Sequence, residues 1–238
     1  MKALVRLLAS SATLLLACAL HAADSKPIAR VMTLLEVDTE DASGYAAWLK
    51  EYNDIAKAKT GSENLLRVFQ TVFDGHNSGR VRVSVSASSV AELTKLTNAL
   101  ETDPAIVQNR EHLRAIRKTG ARVLYQALRF DGPSAKGANN YSALVVVTDE
   151  DAYLKALDEL RGIFDSVGLK DVKMAAYRVL AGRTDHSHRV VISTASPDRL
   201  AAFLDAMGTH PRVADWLTRT AKLRTLVGSS TTREITKY

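Results

Sequence analysis

Over residues 28–37 the side chains alternate, with Ala29, Val31, Thr33, Leu35 and Val37 on one face and Arg30, Met32, Leu34 and Glu36 on the other. A period of two predicts a strand, and the apolar members of the second face imply that both sides are partly covered. The period then lengthens. Behind a cap at Asp38 or Thr39, Tyr45, Trp48, Leu49, Tyr52, Ile55 and Ala56 form one stripe at helical spacing, which Gly61 closes. Residues 65–73 and 80–87 return to strand composition on either side of the turn-forming run 74–79, so they pair as a hairpin. Ser89 with Glu92 is a capping box for a helix that carries Leu93, Leu96 and Leu100. Asp103-Pro104 restarts a helix through Lys118, and residues 121–130 form a closing strand.

The chain writes this plan twice. GRVRVSVSASSVAELTKLTNALETDP, ending at Pro104, returns as HRVVISTASPDRLAAFLDAMGTHP, ending at Pro211. Gly75 and Gly182 close matching strands at the same spacing as the two prolines, and VDTED at Val37 matches VTDED at Val147. Each unit runs β-α-β-β-α-β with its second helix broken at a proline, the ferredoxin-like order. The expected fold class is therefore α+β, with two tandem ferredoxin-like repeats, residues 27–131 and 140–238, joined by a Gly-rich linker over 132–139. Each four-stranded sheet has helices on one face only. Packing the two sheets together, as an intramolecular pseudo-dimeric α/β barrel, covers both bare faces.

Lys2 and Arg6 precede an apolar run from Leu7 to Leu20, and Leu20-His21-Ala22 offers small-residue cleavage. Residues 1–22 form a secretory signal peptide by this pattern, too short in its apolar core for a stable span. The expected location is the periplasm or the exterior. Leu15-Leu16-Ala17-Cys18 also resembles a lipoprotein box, so outer-membrane tethering through lipidated Cys18 is the alternative, and the only membrane contact expected. Cleavage after Ala22 removes the single cysteine, which leaves no disulfide or thiol chemistry. It also takes away two of the six net positive charges. The remaining charges are interspersed, and they give no basis for nucleic-acid binding.

The repeated plan resembles the dimeric α/β-barrel superfamily in its tandem form. The segments that open at Asp103-Pro104 and His210-Pro211 are similar to the pattern of NIPSNAP-like proteins and antibiotic-biosynthesis-type monooxygenases. That resemblance implies the barrel. Its members include cofactor-free oxygenases, haem-dependent enzymes, isomerases and proteins without known activity, and in the haem branch a histidine ligates iron.

Among residues with chemistry to offer, Asn109 and His112 lie one turn apart on the helix after Pro104, and Trp216 and Arg219 hold the matching positions of the second unit. Either they line a pocket, with His112 as an iron ligand, or they form a solvated helix face. His186 and His188, two apart, share a face if the strand includes both, and a metal between them is one reading of that hairpin. Asp185 and, in the first unit's turn, His76 are their neighbours. A polar turn is the other reading. Tyr177 and Arg178 are successive strand residues, so one of them points inward. Arg67 and Arg82 raise the same question; the simpler reading places all of these at an exposed sheet edge, and a buried arginine would need an anionic partner. No Gly-rich phosphate loop, G-x-S-x-G elbow, HExxH or CxxC is present.

The reading these features give is an envelope protein that binds a small apolar or anionic ligand, or a partner, in a tandem α/β barrel, as a monomer or homodimer and without a cofactor. The alternatives are a cofactor-free monooxygenase-like enzyme and a haem-binding protein using His112.

Overall fold

The computed structural model describes residues 31–61, 66–74, 79–183 and 185–237. The expected leader with Cys18, and His76, lie outside them. Fourteen elements follow one another: β1 (Val31–Thr39), α1 (Ala42–Thr60), β2 (Arg67–Phe73), β3 (Val81–Ala87), α2 (Val90–Glu101), α3 (Pro104–Ile116), β4 (Arg117–Phe130), β5 (Asn139–Val147), α4 (Glu150–Ser166), β6 (Lys173–Ala181), β7 (His188–Thr194), α5 (Pro197–Thr209), α6 (Pro211–Thr220) and β8 (Arg224–Lys237).

Helix starts follow local chemistry. Ser89 accepts from the Glu92 amide, Asp103 from the amides of Ala105 and Ile106, and Ser196 from that of Arg199. The Glu92 carboxylate reaches back one residue further than a capping box requires, to the Ser88 amide at 2.8 Å. The cap of α1 is Asp41, which accepts from the Gly44 amide. Asp38 and Thr39 do not cap it, because they are still paired with Lys118 and Arg117 of β4. Gly61 ends α1 in the left-handed region, at φ 64°.

The strands form one closed antiparallel barrel in the order β1-β3-β2-β8-β5-β7-β6-β4. The two four-stranded sheets are not laid face to face as expected. They join edge to edge, β2 with β8 and β4 with β6, so hydrogen bonds run all the way round and no edge is left open. Two strands are longer than the apolar pattern predicts. β4 begins at Arg117 and β8 at Arg224, because each pairs with a strand of its own half along one stretch and with the opposite half along another.

Alternation along the strands separates two environments. Outward-facing Val37, Val68, Val81 and Val83 meet Tyr45, Leu49 and Leu113 of α1 and α3. In the second half Val145, Val190 and Ile192 meet Tyr153, Leu157, Phe203 and Trp216 of α4 to α6. The positions between these face the barrel lumen. No helix among the described residues is long and apolar enough to cross a membrane.

Candidate functional site

The lumen is polar for a protein interior. β3 sends Arg82, Ser84 and Ser86 into it, β5 Asn140 and Ser142, β7 Arg189 and Ser193, and β2 Arg67. With Leu34, Phe69, Phe130, Tyr177 and Val191 they enclose a cavity of about 110 Å³. Gly132, Pro133 and Ser134, from the segment joining the two halves, close one end of it. A second space of about 20 Å³ adjoins it, walled by Glu36, Tyr125, Arg183, His186 and Ser230. Leu34, Arg82, Ser142 and Arg189 belong to both walls.

Buried cations need partners, and most here have them. Arg67 pairs bidentately with Glu234 at 2.8 and 2.7 Å. Arg82 donates to Asp74 at 2.5 Å and to Ser230 at 2.7 Å, with Glu36 at 3.6 Å. Burial, then the nearby Arg189 charge, lowers the Arg82 pKa against the opposing pull of Glu36 and Asp74. Arg183 pairs with Asp185 and Glu36. Arg189 differs. It is 7% exposed, donates from Nη2 to Ser142 Oγ at 2.9 Å, has no partner at Nε, and makes no ion pair among the described residues.

Beside it runs a hydrogen-bonded line. The Tyr125 hydroxyl lies 3.0 Å from His186 Nε2, and His186 Nδ1 lies 2.8 Å from Asp185 Oδ1. Burial lowers the His186 pKa, and the Asp185 hydrogen bond only partly offsets it. The ring is therefore neutral near pH 7. With its proton on Nδ1, toward the carboxylate, Nε2 accepts from the phenol. Burial tends to raise the Asp185 pKa, but hydrogen bonds from Arg183 and His186 outweigh it and hold the carboxyl low. Tyr125 is raised by burial, with Arg189 pulling the other way. An ionised acceptor, a neutral imidazole and a phenol in series can move a proton to or from this smaller space.

The residues singled out from sequence are scattered by the fold. Tyr177 faces the cavity, its ring edge-on to Tyr125 at 6.2 Å. Arg178 turns to the helix side, onto Gln126 at 2.6 Å and Glu150 at 3.1 Å. Arg67 and Arg82 occupy the lumen rather than an exposed edge. Trp216 is core, its Nε1 donating to the Ala156 carbonyl at 2.7 Å, and Arg219 is tied on the surface to Glu159 and Asp215. Neither lines the barrel cavity. Asn109 and His112 lie on α3 with side chains outside the described residues. His186 and His188 do not share a ligand. His186 precedes β7 and turns into the lumen, whereas His188 points to the helix layer, with Ser187 at Nδ1 and Glu150 at Nε2. No group of three or more His, Cys, Asp or Glu among the described residues could hold a metal ion.

Sequence reasoning missed Arg189, Tyr125, Ser142 and Ser134. For Ser142 and Arg189 the available signal was the polar alternation of β5 and β7, which is expected of a sheet face in water and here marks a lumen; Tyr125 and Ser134 carried no such signal.

No family model matches the chain, and no curated protein matches it. Solved structures do. A monooxygenase candidate from Lactobacillus acidophilus superposes with TM-score 0.58 at 10% identity, over 87% of this chain and 94% of that one. A chlorite dismutase from Candidatus Nitrospira defluvii superposes with TM-score 0.57 at 11% identity, over 89% and 93%. An anthrone oxidase-like protein does so with TM-score 0.53 at 14% identity, over 88% and 93%.

The chain has the dimeric α/β-barrel fold.

These similar structures carry the names of oxidative enzymes, and that corrects the expectation of a non-catalytic envelope binding protein; the enzyme alternative fits better. Haem is a separate question. The ring nitrogens of His186 and His188 are occupied, His210 caps α6, and the lumen wall holds three guanidinium groups, so the described residues do not fit a haem site. A haem reading rests on His112, whose side chain lies outside the described residues.

Proposed function

We propose that the protein is an enzyme of the oxidase or cofactor-free monooxygenase type, acting on a small molecule held in the barrel lumen. The observation that carries this is the Tyr125–His186–Asp185 line beside an enclosed cavity. A substrate that loses a proton becomes electron-rich enough to react with dioxygen directly. Tyr125 would take that proton as its own passes to His186 Nε2, and Asp185 would steady the resulting imidazolium. Tyr125 lines the smaller space and would meet the edge of a substrate that reaches past Arg189 from the main cavity, and His186 and Asp185 position and recharge it. The architecture behind it is two ferredoxin-like units, residues 27–131 and 140–238, and their matching strand orders support descent from one duplicated module. The leader read in residues 1–22 supports a periplasmic or secreted location.

The test is dioxygen consumption by the purified protein over a panel of hydroxyaromatic substrates, with an absorption spectrum taken first. The expected result is turnover without a Soret band, reduced on the order of 10²-fold or more in Tyr125→Phe and His186→Gln. Turnover untouched by both variants, or none across the panel, ends this reading. A Soret band lost in His112→Ala would replace it with the haem alternative.

A further inference from the structure

The open groove of about 350 Å³ beside α2 is lined by Arg122, Glu101, Asn98 and Thr94; no orphaned buried group among the described residues lines it. The exposed apolar residues Leu226, Val227 and Ile235 of β8 have nothing beside them that identifies a partner. The lumen does carry an inference.

Its charges balance except at one place. Arg67, Arg82 and Arg183 each have a carboxylate partner in the barrel or at its rim. Arg189, more than nine-tenths buried, has none among the described residues, and its Nε has no acceptor. A second orphan sits in the same wall. Ser134 is 9% exposed, lines the cavity and has no partner for its hydroxyl among the described residues. An unpaired buried guanidinium is costly enough that an ordinary core would have replaced or paired it. A donor fork and an unused hydroxyl bordering one cavity are what a planar anion with two oxygens accepts. The rest of the wall, Leu34, Phe69, Phe130, Tyr177 and Val191, is apolar or aromatic. It suits the hydrocarbon end of such a molecule.

We infer that the barrel lumen binds a small monocarboxylate with an apolar, ring-sized body, its carboxylate on Arg189 and its body against Phe69, Phe130 and Tyr177. This rests on the proposed function only in placing a substrate in the lumen, and it names the group that anchors that substrate; the proton that Tyr125 takes would come from a hydroxyl on the same body, which the binding probe benzoate lacks.

The probes are benzoate, its uncharged counterpart benzamide, and inorganic phosphate, each titrated into the full-length mature protein by calorimetry and thermal melting. Benzoate should bind and raise the Tm, and benzamide should bind at least tenfold more weakly. Arg189→Met should abolish the benzoate response. Without ligand that variant should melt at the same temperature as the parent or higher, because it removes an uncompensated buried charge. If Arg189→Met fails to fold, Ser134→Ala serves instead and should weaken benzoate severalfold with the Tm held. Benzoate binding that survives Arg189→Met overturns the inference. So does equal binding of benzamide, a response to phosphate alone, or no response to any probe. Arg189-dependent benzoate binding in a protein that consumes no dioxygen would leave this inference standing and end the enzyme reading.

Discussion

A single glycine sets the reach of the proton line. Gly182 sits at φ +111°, and a Cβ there would lie 2.2 Å from the Arg122 carbonyl oxygen and 3.0 Å from Val123 Cα. Both are backbone atoms of β4 and cannot step aside. The close approach lets the loop after β6 carry His186 onto Tyr125, one residue beyond Leu124 of that strand. Gly182→Ala should cost about 1–3 kcal/mol, seen as a lower urea midpoint, and should diminish turnover with it. His186 supplies a pH signature. Asp185, Arg183, Arg189 and Tyr125 all face it, and its folded pKa lies below the ordinary imidazole value of 6.5 because burial outweighs the carboxylate. The folded protein thus binds this proton less readily than the unfolded chain does. Stability should be full above about 6.5 and fall as pH drops from there toward the lowered value. His186→Gln should flatten that limb in pH-dependent melts. Loss through Asp185, whose pKa is lowered from 3.8, belongs to a separate, more acid range.

At the scale of elements, caps and turns were legible because their chemistry is local. Ser89, Asp103, Ser196 and Gly61 each satisfy or end a helix with atoms a few residues away. The α1 cap was not, since pairing with β4 holds Thr39 in the strand. α6 shows the same division. Its periodicity gives an amphipathic helix, but its sequence does not say that Trp216 is the buried anchor rather than a pocket wall. Packing against Leu157, Phe203 and Val213 decides that. Trp216→Ala should destabilise by about 3–5 kcal/mol. Trp216→Phe, which keeps a ring and loses only the bond to Ala156, should cost about 1 kcal/mol. Denaturant melts separate the two.

At the scale of the molecule, two seams close the barrel, and the Arg67–Glu234 pair straddles one of them. Glu234 on β8 is fully enclosed, and its partner comes from β2 in the other half. Glu234→Ala would strand Arg67 beside the already unpaired Arg189. The expected cost is about 3–5 kcal/mol in the urea midpoint at unchanged slope. Such a penalty would mark the lumen as a charge-balanced interior rather than a channel open to solvent, where screening would erase most of it.

The sequence by itself determined the order of strands and helices, most caps, and the resemblance between two halves, because each depends on neighbours within a few residues or on direct comparison of two segments. It determined Arg82, Ser142 and Arg189 only as polar strand positions. Tertiary structure decided what those positions face. A period of two says that alternate residues share a side, but whether that side meets water or a closed lumen depends on strands far away in the chain. Only when β2 meets β8 does Arg67 acquire Glu234, only when β4 meets β6 does Arg183 reach Glu36, and only in the closed lumen does Arg189 stand without a carboxylate among the described residues.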